Sequence, residues 1–409
     1  MSAILPDWKR KTALFLSAQT ISLLGSSIVQ FSIVWYITLS TSSGEMLAIS
    51  VLCAFLPQVL ISLFAGVWAD TYNRKLLSIA SDALIALVTL GLAISFMLGF
   101  KSIELLFVAL FLRSFCTGIQ TPAVSAIIPQ LVPKEKLLRV NGINTSLTSL
   151  MMLASPAISG FLYSQTSLEN IFLVDVVTAI IGISIVAFIP IPTVASDSMP
   201  DNKFQAILDG FRYLRENKLI RNLLIFLICD CFLVSPAAFL TPLLVNRTFG
   251  EESWRLAINE VTFSAGAVLG GLLISFLNEY KNKLRITAVA CAFSGIFMIA
   301  LGYAYWFPLY LALNVFLGMI MPCFNAPIVA TFQEKVKPEM MGRVFSLVQI
   351  AMSCSLPLGM VLFGPVADYI SVQSLLIICG GLILLTGTLF FMFNGERNKE
   401  GNRESGRVV

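Results

Sequence analysis

The stretch VQSLLIICGGLILLTGTLFFMF, residues 372–393, holds neither a charged side chain nor a proline. An apolar helix of about 20 residues spans the roughly 30 Å hydrocarbon core of a bilayer, so this run reads as one membrane crossing. Working outward from it, eleven further apolar runs of similar length can be placed. They lie at 12–37, 46–69, 76–99, 104–128, 141–164, 168–190, 220–245, 258–277, 285–305, 307–331 and 344–368. The composition agrees. Of 409 residues, 57% are hydrophobic and 12% are charged, against roughly a quarter charged in soluble domains. A water-soluble core grows too slowly with chain length to hide that much apolar surface. The sequence therefore predicts an all-α membrane protein with twelve transmembrane helices in two six-helix bundles. The bundles are expected at 1–190 and 220–393, with a cytoplasmic linker at 191–219 and a tail at 394–409.

Orientation follows from the positive charges, because cytoplasmic segments are enriched in Lys and Arg. With the N-terminus inside, alternate segments carry Lys9, Arg10 and Lys11, then Arg74 and Lys75, then Lys134, Lys136 and Arg139. The linker region, later inner loops and tail bring the cytoplasmic total to twenty-three, whereas the outer loops hold only Lys101, Arg247 and Arg255. That asymmetry requires an even number of crossings and puts both termini in the cytoplasm. The polar start followed by a long apolar stretch reads as a first membrane helix rather than a cleavable signal. In the linker, Phe204, Ile207, Leu208, Phe211 and Leu214 fall on one helical face, as expected of a helix lying on the membrane surface.

The halves resemble each other. Phe107 to Pro133 and Ala312 to Pro338 align at an offset of 205, so that Pro122 meets Pro327 and Pro133 meets Pro338. Duplicated six-helix halves suit a carrier, whose related bundles can rock about a shared site.

Chemistry is restricted by what is missing. The chain has no histidine, the side chain that ordinarily titrates near neutral pH. Proton traffic would fall to carboxyls. The eight cysteines sit in apolar stretches and read as small buried hydrophobes, with no metal-ligand spacing around Cys229-Asp230-Cys231. No GxxxxGK[ST] loop, zinc pattern, nucleophile elbow or dinucleotide fingerprint occurs. An enzyme, a metal site, a bound cofactor and a nucleic-acid partner are accordingly not expected. The acids within or near crossings are Asp82, Asp175, Asp230 and Glu260. Asp230 lies deepest, in the apolar run Leu227 to Leu233, where a carboxyl can be protonated reversibly. Arg113 lies about nine residues into the fourth crossing, roughly 14 Å at helical rise. An unpaired charge there costs a few kcal/mol, so it must face a cavity or a partner, and Asp175 is at a depth it can reach. Asp82 and Glu260 are expected near span ends, where they can cap or pair. Asp230, the pair Arg113 and Asp175, and Asp82 are the proton-coupling candidates.

The most specific local pattern is Gly66-Val67-Trp68-Ala69-Asp70-Thr71-Tyr72-Asn73-Arg74-Lys75, in the turn after the second span. It resembles the loop motif of the major facilitator superfamily. Gly66, Asp70, Arg74 and Lys75 match, while Asn73 replaces a glycine and Thr71 a basic residue. The resemblance implies a gating loop, in which Asp70 faces a helix N-terminus and Arg74 an acid in one of two states. Arg113 preceding Gly118 by five resembles the superfamily's basic motif in the fourth helix. Gly318 stands at the aligned position of the second half, so the repeat does not impose the charge. Ser155-Pro156-Ala157-Ile158-Ser159-Gly160 resembles a worn exporter motif, with Pro156 and Gly160 surviving to bend and pack the helix. The chain is most similar to the bacterial macrolide-efflux and drug-exporter branch, through Asp7 to Lys11, Leu131 to Glu135 and Met341 to Leu347.

That resemblance implies a secondary active transporter in the bacterial inner or plasma membrane. It would export a hydrophobic or amphiphilic compound, macrolide-type antibiotics or other drugs, by proton antiport and alternating access. Its partners would be a small amphiphilic substrate, protons and the lipid bilayer, and it would act as a monomer. The first span carries Gln19 and Gln30 but no acid, which makes a strongly cationic substrate less expected. The alternatives are export of an endogenous metabolite such as a siderophore or lipid, an uptake carrier, and a non-transporting membrane receptor.

Overall fold

The computed structural model describes residues 7–133, 136–191, 212–276, 283–337 and 340–405. Among the described residues the regular elements are helices. They are α1 (Trp8–Thr41), α2 (Gly44–Thr71), α3 (Arg74–Met97), α4 (Ile103–Leu131), α5 (Leu137–Gln165) and α6 (Leu168–Phe188). They continue as α7 (Lys218–Phe239), α8 (Thr241–Phe249), α9 (Ser253–Phe276), α10 (Lys283–Gly302), α11 (Phe307–Lys335), α12 (Met341–Tyr369) and α13 (Val372–Ser405). Twelve spans are long and apolar enough to cross a bilayer, α7 and α8 together making the seventh, Lys218–Phe249. Large apolar side chains such as Leu87, Val108, Phe161 and Ile180 are exposed on the helix surfaces, where lipid rather than water is the fitting solvent.

Several helices run past the apolar runs that announce them. α1 begins at Trp8 and ends at Thr41, four residues beyond each expected boundary, because polar residues at the ends still satisfy the backbone as a helix. α3 starts where Asn73 accepts hydrogen bonds from the Lys75 and Leu76 amides at 3.0 and 3.2 Å. An asparagine in extended conformation is a strong N-cap, which explains a residue standing where the family loop has glycine. α13 continues to Ser405, through most of the expected tail. The linker segment 192–211, including most of the expected surface helix, lies outside the described residues. Residues 212–216 are helical, and Leu214 is buried.

The repeat is visible in helix length. α4 and α11 begin at 103 and 307, α5 and α12 at 137 and 341, α6 and α13 at 168 and 372, an interval of 204 each time. α4, α5, α11 and α12 each contain 29 residues.

The chain divides into two compact units. The first comprises Met1–Ser42, Ile49–Met199 and Glu252–Ile258; the second comprises Ser43–Ala48, Pro200–Glu251 and Asn259–Val409. In the first, α1 packs on α6, α5 and α4, and α3 packs on α4 and α6. Phe15, Leu16, Ile127, Ile128, Leu131, Val140 and Val186 close one end as a dry cluster. Gly25 lets α1 approach α6 so closely that a Cβ there would strike the Thr178 hydroxyl and the Asp175 backbone.

In the second unit a glycine seam joins α9 to α11. A Cβ on Gly266 would collide with the Val315 carbonyl, on Gly270 with the Met319 carbonyl, and on Gly318 with the Phe263 carbonyl. Gly266 and Gly270 form a GxxxG spacing, which brings backbones together where lipid offers no hydrophobic drive. Gly271, one residue on, faces open space. Gly266→Val is therefore expected to destabilise the protein by about 1–3 kcal/mol through overpacking, seen as a lowered melting temperature in detergent. Gly271→Val should leave that temperature unchanged.

Candidate functional site

Two buried polar clusters lie within the first unit. In one, Asp175 on α6 forms an ion pair with the Arg113 guanidinium on α4. The Ser26 and Thr89 hydroxyls each donate to the Asp175 carboxylate at 3.0 Å. Arg113 also touches the Thr89 hydroxyl and donates to the Ser26 carbonyl at 3.2 Å. Asp175 and Arg113 are 1% and 4% exposed, so their charges answer each other almost without water. In the other, Asp82 accepts hydrogen bonds from Ser22 at 2.8 Å and from Gln120 at 2.6 Å. Both donors are neutral.

The clusters are built on common helices. Ser22 and Ser26 are one turn apart on α1, while Asp82 and Thr89 on α3, and Arg113 and Gln120 on α4, are two turns apart. They form a column holding two carboxyls and one guanidinium. Asp82, expected near a span end, instead lies about eight residues into α3, 4% exposed. α3 begins with its cap at Asn73, and the residues before Asp82 are already inside the helix.

The loop residues have structural employment. Arg74 donates to the Ala126 carbonyl on α4 at 3.1 Å. The Lys75 ammonium donates to the Ala187 and Ile189 carbonyls at the end of α6, at 2.7 and 2.9 Å. A cation at a helix C-terminus is favoured by the helix dipole. Gly66 and Asp70 lie within α2, and the surroundings of Gly66 and the Asp70 side chain are outside what the structure describes. Pro156 lies within α5. Ser159, standing in for a motif glycine, shares a hydrogen bond with Ser32 at 2.8 Å and donates to the Ile28 carbonyl at 3.2 Å. Gly160 packs against Ala257 and Trp35, where a Cβ would collide with Ala257.

The second unit encloses a cavity of about 220 Å³. Asp230 reaches it from α7 and Glu260 from α9, alongside Asn314, Asn325, Phe263 and Phe324. Asp230 is 7% exposed, and its recorded hydrogen bond comes from the Cys291 thiol at 3.4 Å. Glu260 was expected near a span end, but α9 starts at Ser253, which places it two turns inside. The polar opening Ser253-Trp254-Arg255 conceals that start. Beside Glu260, Asn259 accepts from the Tyr310 hydroxyl at 2.9 Å, and Asn314 donates to the Asn259 carbonyl at 2.8 Å. These bonds lock α9 to α11 next to the glycine seam.

The helix between Asp230 and the loop at 250–252 is broken. α7 ends at Phe239, Leu240 separates it from α8, and Pro242 opens the new helix. Pro242 has no amide hydrogen, so the Ala238 carbonyl lacks its helical partner. Ala237, Ala238 and Thr241 all line the cavity. An uninterrupted span at 220–245 was the sequence expectation. The signal that could have revealed the break is the pair Pro236 and Pro242 six residues apart, since interrupted crossings mark carrier binding sites.

Among the described residues, twelve spans suited to a bilayer with charge buried between helices fit a membrane carrier. Comparison with known proteins narrows the class: a profile described as Major Facilitator Superfamily matches residues 15–355 and, again, 248–408, and the chain belongs to that superfamily. Macrolide efflux protein A of Streptococcus pyogenes is 31% identical over 395 residues, covering 96% of this chain and 98% of that protein. The Staphyloferrin A transporter of Staphylococcus aureus is 22% identical over 391 residues, covering 94% and 96%. The solved nucleoside transporter NupG superposes with a TM-score of 0.69 at 17% identity, over 95% of this chain and 99% of that one, a likeness of fold.

The ion pair makes a measurable claim. Arg113→Ala strands a buried carboxylate and should cost about 3–5 kcal/mol, as breaking a buried pair does. Adding Asp175→Asn should recover part of that loss. Thermal unfolding of the two single variants and the double variant checks both statements.

Proposed function

We propose that the protein exports hydrophobic or amphiphilic compounds, macrolide-type antibiotics among them, by proton antiport and alternating access. The export reading is supported by 31% identity spanning nearly the whole of macrolide efflux protein A. The observation carrying the proton reading is Asp82, a carboxyl 4% exposed and held by two neutral donors. A carboxyl in such a place can gain and lose a proton as the surroundings change. Asp175 is committed to Arg113, so that pair holds the column while Asp82 carries the proton. The Gly66, Asp70, Arg74 and Lys75 loop gates the cytoplasmic side. The protein works as a monomer of two six-helix bundles in the bacterial plasma membrane, with both termini in the cytoplasm.

Inverted vesicles made acidic inside should accumulate an exported macrolide. A protonophore should abolish the accumulation, and Asp82→Asn should lower it by at least about tenfold, as for a group carrying the coupling proton. Accumulation that survives the protonophore overturns the antiport. A reporter fused after Val409 should be active only in the cytoplasm.

The similarity to the Staphyloferrin A transporter supports a second reading, export of an endogenous chelator. A deletion strain with unchanged drug susceptibility that retains an iron-binding metabolite would select it.

A further inference from the structure

The export reading leaves open where the substrate sits and what chemistry it must have. The cavity of the second unit addresses both, and the inference below rests on that reading by naming its substrate class. Two carboxyls, Asp230 and Glu260, line a space otherwise walled by neutral and apolar groups. Among the described residues no Lys or Arg lines it, and neither acid forms an ion pair with one. This differs from the first unit, where Arg113 answers Asp175 directly. A carboxylate taken from water without a counter-charge costs several kcal/mol. It must take up a proton or recruit a cation from outside.

The rest of the wall favours the cation. The recorded donor to Asp230 is a thiol at 3.4 Å, a weak donor, so the carboxylate keeps accepting capacity. Asn259 approaches Glu260 at 3.4 Å, also a loose contact. Pro242 frees the Ala238 carbonyl at the negative end of α7, and carbonyl ends of broken helices hold cations in carriers. Phe263 and Phe324 line the space, and aromatic residues can attract ammonium groups. Met321 and Met352 adapt to irregular apolar shapes.

We infer that this cavity is a binding site for the protonated amine of an amphiphile, with Asp230 and Glu260 as its counter-charges. The volume of about 220 Å³ is below the roughly 300–1,000 Å³ of pockets that enclose whole drug-sized ligands. It suits an amine-bearing head, the remaining apolar body lying beyond the cavity. The first span's lack of an acid had pointed away from cationic substrates. The structure moves the acids to a different pair of helices, α7 and α9, where no run of charge in the sequence announces them together.

The test is binding without a gradient, on full-length protein in lipid nanodiscs. Two fluorescent probes are compared, the lipophilic cation ethidium and the neutral amphiphile Nile red. Ethidium should bind the unaltered protein, and Glu260→Gln and Asp230→Asn should each weaken it at least about tenfold, as expected for loss of a charge-assisted contact. Nile red binding should be unchanged, which also reports that each variant is folded. Where Asp230→Asn fails to give monodisperse protein, Glu260→Gln, acting from a separate helix, decides. Equal ethidium affinity in the unaltered protein and Glu260→Gln overturns the inference, as does failure of ethidium to bind the unaltered protein. Acid-dependent binding with no accumulation in vesicles would retire the export reading and keep the amine site. Gradient-driven accumulation indifferent to both substitutions would do the reverse.

Discussion

Lipid as the solvent is the constraint from which the rest of the structure follows. In hydrocarbon an unsatisfied polar group has no water to turn to. The backbone answers by closing into helices, and the side chains answer by finding each other. Ser22, Ser26, Asp82, Thr89, Arg113, Gln120 and Asp175 come from four helices and find partners among themselves in a single column, with the Arg113 Nε left over. Glycines supply the means. Gly25 brings α1 against Asp175, and Gly266, Gly270 and Gly318 bring α9 against α11. Close backbone approach and polar pairing are thus two faces of one solution.

The two units spend their buried charge differently. The first balances one carboxylate with a guanidinium and holds the other with neutral donors. The second surrounds a space with carboxyls and gives them almost nothing from the protein itself. Helices repeat at an interval of 204, but the charges do not repeat with them. Arg113 has no basic counterpart at its aligned position, Gly318.

Much of the fold was legible because a long apolar run has one structural solution in a bilayer. The count of crossings could be read directly, and Asp175 could be named as a partner within reach of Arg113 from matched depth and opposite charge, a cavity being the open alternative. Boundaries were less legible: Trp8, Asn73 and Ser253 begin helices with polar or aromatic residues that hydropathy passes over. The environment of Asp82 was hidden for another reason. Its partners, Ser22 and Gln120, are neutral and far away in sequence, and neither advertises a carboxyl. The break at Leu240 was missed because leucine itself is a good helix former. The cause lies two residues on, in the amide hydrogen that Pro242 does not have.

That missing hydrogen also decides how force travels through the seventh crossing, Lys218–Phe249. An intact rod of 32 residues resists bending along its whole length, because tilting one end stretches every bond beyond the bend. Divided at a single leucine, the crossing becomes two helical pieces, and the ladder between them lacks the bond that Pro242 cannot donate. The short piece still meets the longer one through the Leu240 amide on the Pro236 carbonyl and the Leu244 amide on the Leu240 carbonyl, both at 2.9 Å, and Leu243, Leu244 and Val245, each at most 1% exposed, are the teeth that grip.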